Sequence, residues 1–204
     1  STKDLQLSGN ERLYIKKNHK SLFDFPLIKN FSSKYVNFYS FHVGFKKKRN
    51  DLLFVVFAQA VNVASVYSKT STPSAPIVWD KKNNKGLCRV LIINAGNANA
   101  HTGSKGLKTV DEYTKKAASF FNCSLSEVLV SSTGVIGQQL NSKLILKIFE
   151  KRNFIHTNNL LSAAQSIMTT DTYPKAVRKK IKIENKEINI FGIAKGSGMI
   201  FPNM

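Results

Sequence analysis

Residues 51–67, DLLFVVFAQAVNVASVY, open with an unbroken apolar run and then partly alternate apolar with polar positions. Their β-branched and aromatic content predicts a long or bent strand. A Ser/Thr/Pro-rich turn follows at residues 68–76. CRVLIINAG, residues 88–96, is a short continuous apolar run stopped by Gly and Asn, which is how an interior strand covered on both faces reads. In residues 109–121, Val110, Tyr113, Ala117, Phe120 and Phe121 recur three and four apart, the spacing of an amphipathic helix. Asp111 and Glu112 are expected in its first turn and Lys115 and Lys116 later, as the helix dipole favours. Residues 127–132 predict another strand, ending in a Gly-containing turn at 133–137. Two further helical patterns lie near residues 142–149 and 159–168. After Pro174, KKIKIENKEINIFGIAKG alternates on both sides of Glu184-Asn185-Lys186, predicting a β-hairpin. The mixture is α/β or α+β, an interior sheet covered by helices.

Composition narrows the class. A chain of 204 residues with 42% hydrophobic content can bury a real core, and residues 1–204 are expected to form one domain, with residues 1–20 a poorly ordered leading segment. No apolar run approaches the roughly 18–20 residues that cross a membrane, and residues 1–20 lack the apolar stretch of a secretory signal. Cys88 and Cys123, the only two cysteines, sit in apolar surroundings and are expected to be buried free thiols. Four histidines, His19, His42, His101 and His156, show no paired ligand spacing, so no metal site is expected. The formal charge of +19 invites a nucleic-acid reading, but the lysines are scattered along every segment, so a solvated basic surface or an acidic partner chain explains them better.

Three glycine-containing loops follow or end expected strands: Asn94 to Ala100, Ser131 to Gly137, and Lys195 to Met199. Glycine lets the backbone turn and leaves amide N–H groups open to a ligand oxygen. Neither GxGxxG nor GxxxxGK[ST] is present, which removes a dinucleotide or phosphate loop. Each loop alone reads as an ordinary strand-to-helix turn.

In series they say more. VGFK (43–46), APIV (75–78), INAGNANAHTG, SSTGVIG, AAQSIMTTDTYPK and GIAKGSGMIFPNM together resemble, in order and spacing, the ornithine acetyltransferase (glutamate N-acetyltransferase, ArgJ) family over roughly residues 40–204. The resemblance implies a DmpA/ArgJ-like α+β sandwich of stacked sheets flanked by helices, completed by a second chain. It implies a precursor that cuts itself at an Ala-Thr bond, here expected just after Met204, the new terminal threonine being the nucleophile of the β chain. That threonine's own α-amino group takes the hydroxyl proton.

On this reading the acetyl group passes from N2-acetylornithine to glutamate through an acetyl-threonine, in arginine biosynthesis. Acetyl-CoA is a possible co-substrate, and no bound cofactor or metal is implied. Thr133 and Gly134 match the family's oxyanion residues. Thr172 and Lys195 match its substrate-binding positions, and an ammonium suits an amino acid's α-carboxylate. Asp171 is expected to orient its loop or cap a helix end rather than carry a catalytic proton. Asn97 and Asn99 are expected near the site, either fixing loops or contacting substrate. The implied partner is the β chain in an α2β2 assembly, in the cytoplasm or, in a eukaryote, an organelle matrix. His101 stands where the family pattern has cysteine. Two alternatives remain: a self-cleaving aminopeptidase or amidohydrolase of the same fold, and a basic nucleic-acid-binding module.

Overall fold

The computed structural model describes residues 33–150, 154, 159–196 and 203–204. The expected loose segment at residues 1–20 lies outside them, as do residues 197–202 of the last motif. Four strands form one sheet in the order β1 (Val36–Phe41), β2 (Leu52–Asn62), β3 (Leu87–Asn97), β4 (Val128–Val135). The first two pairings are antiparallel and the β3–β4 pairing is parallel. The β2–β3 register breaks between Val56 and Val61, which is the bend anticipated in the long apolar segment, and residues 63–67 leave the strand.

The unbroken apolar run in β2 has a simple cause: both faces of the sheet are covered. Leu52, Phe54 and Val56 face a core built with Trp79, Val110, Tyr113, Ala117, Ile145 and Phe149. Leu53 and Val55 face a second core made with Phe38, Leu160, Ala163, Ala164 and Ile167. Period-two alternation thus sends the side chains of residues 52–56 into one core or the other. Helices α1 (Ala75–Asn83), α2 (Gly103–Phe120) and α3 (Ser142–Glu150) supply the first core, and α4 (Leu160–Ser166) the second. Phe54 centres an aromatic cluster, with ring centroids 5.5 Å from Phe149, 5.7 Å from Phe154 and 5.9 Å from Phe41.

Two elements go beyond the sequence reading. Strand β1 was not anticipated, and neither was α1, which starts where a turn was expected. Helix α1 buries Ala75, Pro76, Trp79 and Asp80, a helical face disguised by a carboxylate. Asp80 accepts the Val130 amide at 3.0 Å, and burial pushes its pKa up to about 7 despite that hydrogen bond. Helix α2 begins at Gly103 rather than residue 109, so Asp111 and Glu112 lie mid-helix rather than in the first turn. Its opening glycines hid it. At Gly106 an added Cβ would lie 2.0 Å from Thr102 Oγ1, so the helix can approach the 97–102 loop only without a side chain there.

The remaining strands, β5 (Lys175–Ile183) and β6 (Lys186–Ala194), form a separate antiparallel hairpin. Its turn residues Glu184 and Asn185 have φ of 46° and 66°, the left-handed pair of a two-residue hairpin turn. Cys88 is buried and Cys123 half-buried, both free, and burial, aided by the charge of Asp80, pushes the Cys88 thiol up to about 12. Among the described residues no helix is long and apolar enough to cross a membrane, and no cluster of His, Cys, Asp and Glu could hold a metal.

Candidate functional site

The parallel ends of β3 and β4 build one side of the site. The sequence reading ended β4 at residue 132 and put Thr133 and Gly134 in a turn. Instead the strand continues, pairing Ala95 with Thr133 and Gly96 with Gly134 before the register slips at Asn97. Gly134 has φ of 138°, and a Cβ there would lie 2.2 Å from the Gly96 carbonyl carbon and 2.5 Å from the Asn97 amide. Only glycine fits between these backbones. Thr133 and Gly134 therefore stand on a strand end locked to its neighbour.

Behind them runs a chain of amide side chains. Ser132 Oγ donates to Asn94 Oδ1 at 2.5 Å, and Asn94 Nδ2 donates to the Asn97 carbonyl at 2.8 Å. Asn97 Oδ1 accepts the Asn99 amide at 2.7 Å, while Asn97 Nδ2 donates to the Gln138 carbonyl at 3.0 Å. Asn99 holds the start of α2 through the Gly106 carbonyl and the Thr102 hydroxyl. Asn94, Asn97 and Asn99 are buried, and each pairs its side-chain polar atoms with nearby backbone or with a neighbouring hydroxyl. Asn97 and Asn99 thus fix loops, the structural one of the two roles open to them, and Asn94 with Ser132 extends the network beyond the residues singled out from the sequence.

The other side comes from the turn after α4 and the start and end of the hairpin. Lys195 Nζ lies 2.6 Å from Thr133 Oγ1 and 2.9 Å from Thr169 Oγ1. Asp171, fully buried, accepts the Gly196 amide at 2.6 Å, the Thr169 amide at 3.0 Å and Lys175 Nζ at 2.7 Å. It is the joint between the turn and both hairpin strands. Burial alone would raise its pKa, but the Lys175, Gly196 and Thr169 hydrogen bonds and the Lys175 charge outweigh it and hold the carboxyl down at about 2. Asp171 orients its loop and is ionised at any ordinary pH.

The structure brings Thr133, Gly134 and Lys195 to one place. Thr172 lies exposed in the adjoining turn, and it is Thr169, three positions earlier, that reaches Lys195. Thr169 was not singled out from the sequence. Lys46 and Arg49 also reach this turn through the Met168 and Thr169 carbonyls; the sequence marked them only as the ends of a basic run, with Lys46 also closing VGFK. His101, with φ of 54°, lines a separate pocket of about 200 Å³ with Pro73, Val78, Thr102, Gly103 and Leu107.

A hydroxyl and an ammonium thus meet beside a glycine backbone at the end of the sheet of an α+β protein. The chain belongs to the ArgJ family, whose model matches residues 37–204. It is 39% identical over 158 residues to the arginine biosynthesis bifunctional protein ArgJ of Gluconobacter oxydans, covering 76% of this chain and 37% of that protein. With the Zymomonas mobilis protein of the same description it shares 42% identity over 163 residues, covering 79% of this chain and 40% of that one. The chain therefore spans about two fifths of the length of these relatives. Its fold matches the crystal structure of the Bacillus halodurans ArgJ protein with a TM-score of 0.78 at 31% identity, over 86% of this chain and 93% of that chain. It also matches an ornithine acetyltransferase from Mycobacterium tuberculosis, crystallised with ornithine, with a TM-score of 0.71 at 24% identity, over 88% of this chain and 97% of that one. The second likeness bears on the fold alone.

Proposed function

We propose that this chain is the α part of a glutamate N-acetyltransferase of arginine biosynthesis, working with a β chain cut from the same precursor after Met204. The single observation that carries the reading is the meeting of Lys195 with Thr133 at 2.6 Å, beside Gly134, across 62 residues of sequence. Membership of the ArgJ family supports it.

The β chain's terminal threonine attacks the acetyl carbonyl of N2-acetylornithine, and its own α-amino group takes the hydroxyl proton. The developing oxyanion is met by donors at Thr133 and Gly134, worth about 3 kcal/mol per donor. The C–N bond to ornithine breaks and the amine leaves with the proton. Glutamate's amine then attacks the acetyl-threonine ester, restoring the hydroxyl and forming N-acetylglutamate. Lys195 holds the α-carboxylate shared by both amino acids, with Thr172 at the edge of the same turn. Acetyl-CoA serves as an alternative donor, no bound cofactor is required, and the assembly is α2β2 in the cytoplasm.

The test is to incubate the full-length protein with N2-acetylornithine carrying a labelled acetyl group. The proposal expects a stable acetyl-protein without glutamate, and labelled N-acetylglutamate once glutamate is added. Release of free acetate with no acceptor requirement would instead mark a hydrolase.

A further inference from the structure

The loop joining β1 to β2, HVGFKKKRN, contains the basic run Lys46-Lys47-Lys48-Arg49. It is not left to solvent. Asp51, fully buried at the start of β2, accepts three amides of this loop: Val43 at 2.8 Å, Gly44 at 3.1 Å and Lys46 at 2.7 Å. Gly44, with φ of 99°, makes the turn that points these amides inward. His42 Nδ1 lies 2.7 Å from the Arg49 carbonyl and ties the loop's far end. A buried carboxylate with three amide donors is a rigid fixture.

From this fixed loop two cations reach across to the end of α4. That helix stops at Ser166, so the carbonyls that follow need donors. Lys46 Nζ donates to the Thr169 carbonyl at 3.1 Å. Arg49 Nη2 donates to the same carbonyl at 3.1 Å and to that of Met168. The residue whose carbonyl they hold is the one whose hydroxyl lies 2.9 Å from Lys195 Nζ. A continuous path of polar contacts therefore runs from buried Asp51, through the loop and Thr169, to the Lys195 ammonium.

We propose that Arg49, assisted by Lys46, is a positioning residue of the site: by clamping the Thr169 carbonyl it sets the Thr169 hydroxyl and hence the place of the Lys195 ammonium opposite Thr133. The proposal rests on the reading of Lys195 as the group that takes the substrate carboxylate. Lys195 sits at the exposed end of the hairpin on a flexible four-carbon stem, and one hydroxyl fixes such a group in distance but not in direction. Thr133 supplies one contact from the sheet. Thr169 supplies the second only if its own turn is held: Asp171 takes the Thr169 amide and Ile167 anchors the turn's start in the second core, while Arg49 and Lys46 hold the Thr169 carbonyl. Losing the clamp frees the ammonium to swing, which weakens substrate binding more than it slows the chemical step.

The full-length protein is compared as wild type, Arg49→Ala, Arg49→Lys, Lys46→Ala, Lys195→Ala and, as a control for lost charge, Lys47→Ala. Arg49→Ala is expected to raise KM for N2-acetylornithine about tenfold, the worth of one hydrogen bond to a charged group, with kcat changed less than about threefold. Arg49→Lys, which keeps a donor, recovers most of that loss, and Lys47→Ala leaves both constants unchanged. A second readout needs no turnover: trace acetylation by acetic anhydride, followed by peptide mass spectrometry, with exposed Lys48 as reference. Lys195 is expected to label more slowly than Lys48 in the wild type and as fast as Lys48 in Arg49→Ala.

Unchanged KM and unchanged Lys195 labelling in Arg49→Ala would overturn the clamp. A merely structural cap on α4 would lower thermal stability without shifting KM or the Lys195 labelling. If Lys195→Ala leaves KM unaltered, the role given to Lys195 fails, and the labelling still decides whether Arg49 positions it. Should Arg49→Ala not fold, Lys46→Ala takes its place: faster Lys195 labelling supports the clamp, and wild-type labelling refutes it.

Discussion

The two halves of the site are held in different ways. Thr133 and Gly134 stand on a strand whose root, Val128 to Val130, is buried, with Val128 and Val130 in the first core, and their backbone is wedged against Gly96. Lys195 stands on a hairpin that leaves Val177, Ile183, Ile188, Ile190 and Phe191 exposed. A two-stranded hairpin is marginal by itself, and this one is joined to the rest through Asp171, Lys175 and the contacts of Ala176 and Ile193 with the second core. On the proposed reading, the side that meets the oxyanion is thus fixed by packing and the side that takes the carboxylate by charge-assisted hydrogen bonds. A site built this way tolerates adjustment where the substrate is recognised and none where the charge develops.

Removing packing should do the most damage. Phe54→Ala empties the centre of the aromatic cluster and is expected to cost about 3–5 kcal/mol of stability by urea unfolding. Gly134→Ala forces a Cβ into backbone at an unfavourable φ, with strain of about 1–3 kcal/mol and a loss of acetyl transfer of about 100-fold as the neighbouring amides move.

On the hairpin side the lever is pH. Asp171 has a folded-state pKa of about 2, below its ordinary value, so its contribution is present above pH 4 and is lost as pH falls through 2. Its size is about 2 kcal/mol, and Asp171→Asn should remove it, so that wild type and variant converge in melting temperature between pH 4 and pH 2. Asp80 has the opposite sign: with its pKa raised to about 7, it favours the fold most below pH 4 and loses that effect as pH rises through 7. Ile190→Thr, on the exposed hairpin face, should change the stability of this chain by less than about 0.5 kcal/mol. A larger loss would mean that the hairpin is better packed than its exposure indicates.

The same contrast decides what was legible in the sequence. Strands β2 and β3 were readable because a continuous apolar run has few other uses, and the hairpin because alternation brackets a turn-forming Glu184-Asn185 pair. Helix α1 was not, because Asp80 occupies a core-facing position, and the first turns of α2 were hidden by Gly103 and Gly106. Short β1 carried too few residues to stand out. At the site, Thr133, Gly134 and Lys195 were named from motif resemblance, and their meeting could not be read from spacing. Thr169, Lys46 and Arg49 were missed because their contacts join residues 119 to 123 apart in sequence, a distance over which no periodicity carries information.

The central claim is that Thr133 and Lys195 serve one acetyl-transfer site in two different capacities. It is tested most directly by steady-state kinetics of transfer from N2-acetylornithine to glutamate in the full-length protein and its Thr133→Ala and Lys195→Ala variants. The account predicts that Thr133→Ala lowers kcat about 100-fold with KM little changed, while Lys195→Ala raises KM at least about tenfold. Wild-type constants in both variants would contradict it.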